Sequence, residues 1–166
     1  MATELGRADG PITLACFEVG THLYALDVSH VREVVRWRPP TPMPRAPALI
    51  QGVVDLRDVV IPVVDLGVAL HGRPTAVSGE RGSDTARIAI VTVADLVMGL
   101  VVDAALEVLE VEGKLLCDPP RLAAQAGYEA VRAVVRRPGR DPILVLSMDH
   151  ILESVYRSAR PCSEVA

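Results

Sequence analysis

The chain has 166 residues, half of them hydrophobic, and a formal net charge of −4, which is the size of one domain or of two small halves sharing a core. Aromatic residues are only 3% and no Lys/Arg run occurs, which argues against a nucleic-acid binder, since that needs a basic face and stacking platforms. Val, Leu, Ile and Ala must therefore fill the core, and the abundance of Val favours strands.

Cys16, Cys117 and Cys162 are odd in number, far apart and in no Cys-x-x-Cys pair. Neither a disulfide framework nor a zinc site is expected, and a reducing cytosol is the simpler reading. Glu4 and Asp9 stand where a signal peptide would need an apolar stretch. The longest apolar runs are far short of a membrane span. The expectation is a soluble, intracellular protein.

Residues 1–11 are small, polar and Gly/Pro-punctuated, and read as a flexible tail. Ile12 to Val19 reads as a strand, Gly20-Thr21 as a turn and Leu23 to Asp27 as the return strand. Val28, Val31 and Val35 have helical spacing, whereas Val31, Glu33 and Val35 alternate, so a short helical turn followed by a strand around Val34 to Trp37 is expected. Prolines 39, 40, 42, 44 and 47 make Arg38 to Pro47 a stiff, extended connector, and Pro47 is placed to open one helical turn.

Residues 49–66 follow, Leu-Ile-Gln-Gly-Val-Val-Asp-Leu-Arg-Asp-Val-Val-Ile-Pro-Val-Val-Asp-Leu. Two β-branched runs around a short polar knot read as a hairpin. The second run is apolar on both faces, which places the hairpin inside a closed or doubly covered sheet. Pro62 implies an edge or a bulge. Asp55 suits the turn, because its carboxylate can accept from the backbone two residues on. Leu56 and Arg57 then face water at the tip, where they add little to a core and are placed to hold a partner; the plain alternative is an ordinary exposed turn.

Asp65 can cap a short helix from Leu66 to Leu70. Residues 71–85 form the longest polar stretch and read as a mobile loop. Strands are expected at Arg87 to Val93, Leu96 to Val102 and Leu106 to Val111. Gly113 to Gln125 is mixed, interrupted by Pro119-Pro120. A last hairpin runs from Val131 to Arg136 and Ile143 to Leu146 across Pro138-Gly139-Arg140-Asp141. Asp149 to Tyr156 reads as a terminal helix with Ile151, Leu152 and Val155 on one face. A faint repeat is visible. Leu14 to Asp27 and Ile90 to Asp103 share a pattern, and each half ends on an Asp before a short helix, at Asp65 and Asp149. The pattern suggests two β subdomains of about five strands each.

Catalytic chemistry is hard to find. Ser29-His30 is an adjacent nucleophile–base pair, but neighbours on a strand point to opposite faces. His22, His30, His71 and His150 lack ligand spacing. Capping explains the recurrent Asp27, Asp65, Asp103 and Asp149. Gly79-Glu80-Arg81-Gly82 lacks the Lys-Ser/Thr of a phosphate loop. Nothing calls for a cofactor or a metal, no enzyme is expected, and the weight moves to surface recognition.

Four stretches, in order, carry a resemblance. They are Tyr24-Ala25-Leu26-Asp27-Val28 with Val31-Arg32-Glu33-Val34; Pro47 to Val53; the hairpin Asp55 to Leu66; and Gly99-Leu100-Val101-Val102-Asp103 with Val108. Together they resemble the signatures of CheW-like domains, the adaptors of bacterial chemosensory arrays, from about Ile12 to Val155. The resemblance implies a mainly β fold of two intertwined five-stranded SH3-like barrels. It implies a single domain over 12–156, with a first subdomain roughly 20–85, a second roughly 86–145 plus the N-terminal strand, and a C-terminal tail over 157–166. It also implies a non-catalytic, monomeric cytoplasmic scaffold, recruited to membrane-associated receptor arrays. Its partners would be the tip of a chemoreceptor's helical hairpin and the regulatory domain of a CheA-type histidine kinase.

Val31, Glu33, Gly52 and Arg57 match interaction positions of that family, with Leu56 and Asp58 beside them at the tip. Ile88, Val102 and Val108 match positions lining or flanking the groove between subdomains. The family turn is usually Asn-Leu-Arg-Gly; here it is Asp55-Leu56-Arg57-Asp58. Asp tolerates a left-handed backbone at a cost of order 1 kcal/mol, and Asp55 or Asp58 is expected to engage Arg57 in part. The alternative reading is a β-barrel sensor or regulator that binds a small ligand between its subdomains.

Overall fold

The computed structural model describes residues 10–72, 84–119 and 130–159. The tails expected at 1–11 and 157–166, most of the loop expected at 71–85 and the stretch after Pro119 thus lie largely outside the described residues.

The fold is mainly β. In chain order the strands are β1 (Pro11–Val19), β2 (His22–Asp27), β3 (Val31–Arg36), β4 (Ile50–Leu56), β5 (Val59–Asp65), β6 (Arg87–Val93), β7 (Leu96–Val102), β8 (Ala104–Glu112), β9 (Leu116–Cys117), β10 (Val131–Val135) and β11 (Ile143–Leu146). Among the described residues two α-helices, α1 (Leu66–His71) and α2 (Met148–Ala159), follow β5 and β11. The strands form a six-stranded sheet, β8-β1-β2-β11-β10-β9, and a five-stranded sheet, β3-β6-β7-β5-β4.

The faint repeat in the sequence is a repeat of topology. β1–β2 corresponds to β6–β7, β3 to β8, β4–β5 to β10–β11, and α1 to α2. In each sheet one pairing is parallel, β5 with β7 and β11 with β2. The halves exchange their first hairpins. β6–β7 completes the sheet of β3, β4 and β5, while β1–β2 completes that of β8 to β11. The sheet boundary therefore does not fall near residue 85, as a division in chain order supposes.

Both sheets close on themselves by the same device. Trp37 N–H donates to the Ala86 carbonyl at 3.1 Å, extending the β3–β6 ladder. The chain then crosses over, and Thr41 exchanges backbone bonds with Val53 of β4 at 2.8 and 2.9 Å. In the other sheet β8 passes through a 3-10 turn, Gly113–Leu115, and pairs again on β10 as β9. The first closure is a single bridge and the second a two-residue strand, which is why one sheet has six strands rather than five.

Closure explains the continuous Val-rich runs, because alternate side chains of one strand enter different cores. On β1, Leu14 and Cys16 fill the interior of the six-stranded sheet, while Ala15, Phe17 and Val19 enter a core shared by both sheets. On β6, Ile88 and Ile90 fill the interior of the five-stranded sheet, while Ala89, Val91 and Val93 enter the shared core. Leu66, Met148 and Ile151 from the two helices pack into the same junction.

Local details follow the residues, with corrections. The Asp65 carboxylate accepts from Val68 N–H at 3.2 Å and caps α1, and Gln51 Nε2 donates to its other oxygen at 2.8 Å. α2 is capped by Ser147, whose Oγ accepts from His150 N–H at 3.4 Å, so Asp149 sits in the first turn instead. Asp103 caps no helix; it accepts from Gly20 N–H at 2.6 Å and ties the β1–β2 turn. The strand after Val28–His30 begins at Val31, earlier than the spacing suggests. Pro47 opens a turn closed by Ile50 N–H on its carbonyl at 2.9 Å, and no helix forms there. β5 is enclosed only in its second half. Its ladder to β7 starts at Val63, so Pro62 lies where β4 is the one neighbour, and Val59 and Val60 are exposed.

Candidate partner-binding site

The tip of the β4–β5 hairpin is two residues long, and both Arg57 (φ 51°) and Asp58 (φ 65°) are left-handed. Positive φ at both central positions is the hairpin turn whose twist suits the flanking strands. Asp58 occupies this backbone with help from Asp55, whose Oδ1 accepts from Asp58 N–H at 3.0 Å. The bond reaches three residues on, not two. The Arg38 guanidinium donates to the Asp55 carbonyl oxygen and ties the base of the turn to the chain leaving β3.

Arg57 is not engaged by Asp55 or Asp58. Its Nη2 donates to Glu33 Oε2 on β3 at 2.9 Å, with the arginine side chain 79% exposed and the glutamate 26%. An ion pair at such exposure contributes roughly 0–1 kcal/mol to folding. Its larger effect is to orient a guanidinium whose other N–H groups remain turned to solvent, a fork suited to carboxylates. The tip thus displays a positioned cation on a hairpin held from below by Arg38 and Thr41.

The other expected residues separate into distinct environments. Leu56 does not face water; it is half-buried against the core that holds Val35 and Trp37. Val31 is half-buried against the shared core. Ile88 and Val102 are both at 0% exposure, so they pack the interior and cannot touch a partner directly. Val108 lies 63% exposed on β8, in the other sheet. Gly52 is buried with φ 151°, and a Cβ there would stand 2.2 Å from the Thr41 carbonyl oxygen. Its contribution is to let the closing bridge approach. Sequence reasoning missed Arg38, because a side-chain bond across 17 positions leaves no local pattern.

Elsewhere the titratable groups are structural. Burial pushes the Cys16 thiol up to about 11; Glu107 adds to the shift and Arg137 opposes it. A thiol so displaced carries little thiolate at neutral pH. Burial works to raise Asp27, but hydrogen bonds from Ser29 and the charges of His30 and Arg132 outweigh it and leave the carboxyl below its ordinary value. Desolvation lowers Arg132, against Asp27 and Asp149. His30 Nδ1 lies 3.3 Å from the Thr92 carbonyl, and Ser29 hydrogen-bonds Asp27 through both its backbone N–H and its side chain, so each is engaged elsewhere and not with the other. Tyr24 OH meets His71 Nε2 at 2.9 Å, with the His22 ring tilted by 33° against that of His71 at 5.3 Å. Among the described residues no group of three or more His, Cys, Asp or Glu could hold a metal ion. No helix among them is long and apolar enough to cross a membrane.

Comparison with known proteins gives this arrangement its context. The chain is 32% identical over 152 residues to the protein FrzA of Myxococcus xanthus, covering 87% of each. It is 31% identical over 154 residues to the chemotaxis protein CheW of Rhizobium meliloti, covering 91% of this chain and 94% of that one. The crystal structure of the scaffolding protein TtCheW from Thermoanaerobacter tengcongensis superposes with a TM-score of 0.70 at 29% identity, over 83% of this chain and 85% of that one. The family model for the CheW-like domain matches residues 13–156, nearly the whole of both sheets and both helices. Two closed sheets joined by exchanged hairpins, with a fixed arginine at one tip, are thus the form taken here by a member of the CheW-like domain family.

Proposed function

We propose that the chain is a non-catalytic adaptor of a bacterial chemosensory array. It joins the tip of a chemoreceptor's helical hairpin to the regulatory domain of a CheA-type histidine kinase. Scaffold proteins of chemotaxis are what the chain is similar to along its length, and the alternative of a small-ligand sensor is set aside on that ground. The working surface is the first closed sheet, with Arg57, Glu33 and Asp58 as the polar contacts and half-buried Val31 and Leu56 as their apolar support.

The observation that carries the placement is the Arg57–Glu33 pair, 2.9 Å long, with its guanidinium largely in water at the head of a tied hairpin. It contributes little to the fold and holds its guanidinium ready for a carboxylate of the partner. Val108 on β8 and the buried Ile88 and Val102 belong outside this contact. The test is the affinity of the full chain for a CheA-type regulatory domain and for a receptor-tip fragment, with and without Arg57→Glu. Wild-type affinity for both by a normally folded variant would place the interface elsewhere.

A further inference from the structure

The hairpin β10–β11 is the topological counterpart of β4–β5, and its tip is also cationic. Between residues 130 and 141 there are four arginines, 132, 136, 137 and 140, against one carboxylate, Asp141, in a chain whose net charge is −4. The tip is firmly built. Arg136 N–H donates to the Leu115 carbonyl at 3.1 Å, and Arg140 N–H donates to the Arg137 carbonyl at 3.1 Å. The Arg137 guanidinium donates twice to the Asp141 carbonyl, from Nε at 3.0 Å and Nη2 at 2.8 Å. Arg137, Gly139, Arg140 and Asp141 line a broad, open depression of about 640 Å³.

The difference from the first tip is the pairing. Arg57 has Glu33, whereas among the described residues Arg136, Arg137 and Arg140 form no ion pair with any carboxylate. Three guanidiniums close together in the chain, none of them ion-paired, repel one another and favour an anion that can lie across them. We propose that this tip is a second docking site, for an acidic segment of a protein partner that presents consecutive carboxylates.

The shape favours a macromolecular carboxylate over a free anion, since sites for small ligands enclose most of the ligand surface and this depression does not. A flat anionic membrane is disfavoured because β8, which leads into Leu115, carries the exposed Glu107, Glu110 and Glu112. The proposal does not rest on the adaptor reading, because it concerns the other sheet.

The test is a titration of the ¹⁵N-labelled full chain with a hexaglutamate peptide at low salt. The expected result is amide shifts confined to residues 130–141 that fade as salt is raised. Arg136→Gln/Arg140→Gln, which leaves the Arg137 bonds to the turn in place, should weaken the peptide at least tenfold with an unchanged melt. Arg157→Gln should bind as wild type does. An unweakened double variant, absent shifts at the tip, shifts centred on Arg57, or equal occupancy of the tip by inorganic phosphate at the same concentration would each overturn the proposal. So would sedimentation with phosphatidylglycerol vesicles that depends on the same arginines.

Discussion

Glu33 and Arg57 meet at 2.9 Å although they belong to opposite ends of the sheet order, Glu33 on β3 and Arg57 beyond the end of β4. The contact exists because the sheet closes. Thr41 carries the chain from the β3 edge to the β4 edge, and Arg38 fastens the β4–β5 turn as it passes.

A charge exchange separates the use of this pair in folding from its use in binding. Arg57→Glu and Glu33→Arg should each shift stability by less than about 1 kcal/mol, since exposed pairs contribute no more than that. The double exchange should restore any loss in the melt. Affinity for the kinase regulatory domain should fall on the order of tenfold to a thousandfold in Arg57→Glu and should not return in the double variant, because a partner carboxylate still faces a glutamate. Recovery of binding together with stability would mean that the pair serves the fold alone.

Gly52 tests closure. Gly52→Ala forces a Cβ against the Thr41 carbonyl at 2.2 Å on a backbone with φ 151°, where an L side chain is strained. A loss of about 2–4 kcal/mol is expected in urea unfolding, in line with other core backbone clashes. A midpoint like that of wild type would show that the Thr41–Val53 bridge is not needed.

Ile88 and Val108 should behave oppositely. Ile88→Ala removes a side chain at 0% exposure from the five-stranded interior and should cost about 2–5 kcal/mol. Val108→Ala lies 63% exposed and should stay within about 0.5 kcal/mol. Neither should alter kinase affinity once the remaining folded fraction is accounted for; isothermal titration on folded samples decides it.

Cys16 should resist chemistry until the protein opens. With its thiol at about 11, iodoacetamide at pH 8 should label Cys117, which is half-buried, well before Cys16, and denaturant should abolish the difference. The sign of the pH effect follows from the raised value. Below the ordinary thiol pKa of 9.0 both folded and unfolded chains hold the proton and the Cys16 contribution is fully present. Between 9.0 and about 11 only the unfolded chain releases it, so stability falls as pH rises through that window. Cys16→Ala should remove this part of the alkaline slope in a series of melts.

The elements themselves were legible in the residues. β-branched runs bounded by Gly, Pro and Asp marked β1, β2, β5 to β8, β10 and β11 within a residue or two and β4 only as the first arm of a hairpin, and Asp65 announced α1, because strand alternation and capping are local physics. The repeat of Asp-terminated hairpins was visible for the same reason. The ordered signatures around Glu33, Gly52, Arg57 and Val102 pointed to the family. Tertiary structure decided the rest. Nothing local tells a hairpin which sheet it will complete, so the exchange of β1–β2 and β6–β7 could not be read from chain order. Nor could it tell that Ile88 and Val102 lie inside while Val59 and Val60 lie outside, since Val and Ile look alike on either face of a strand. Arg57 was placed at the tip by its turn, but its partner was set by closure across 24 positions of chain, which brought Glu33 to it and left Asp55 holding the backbone instead.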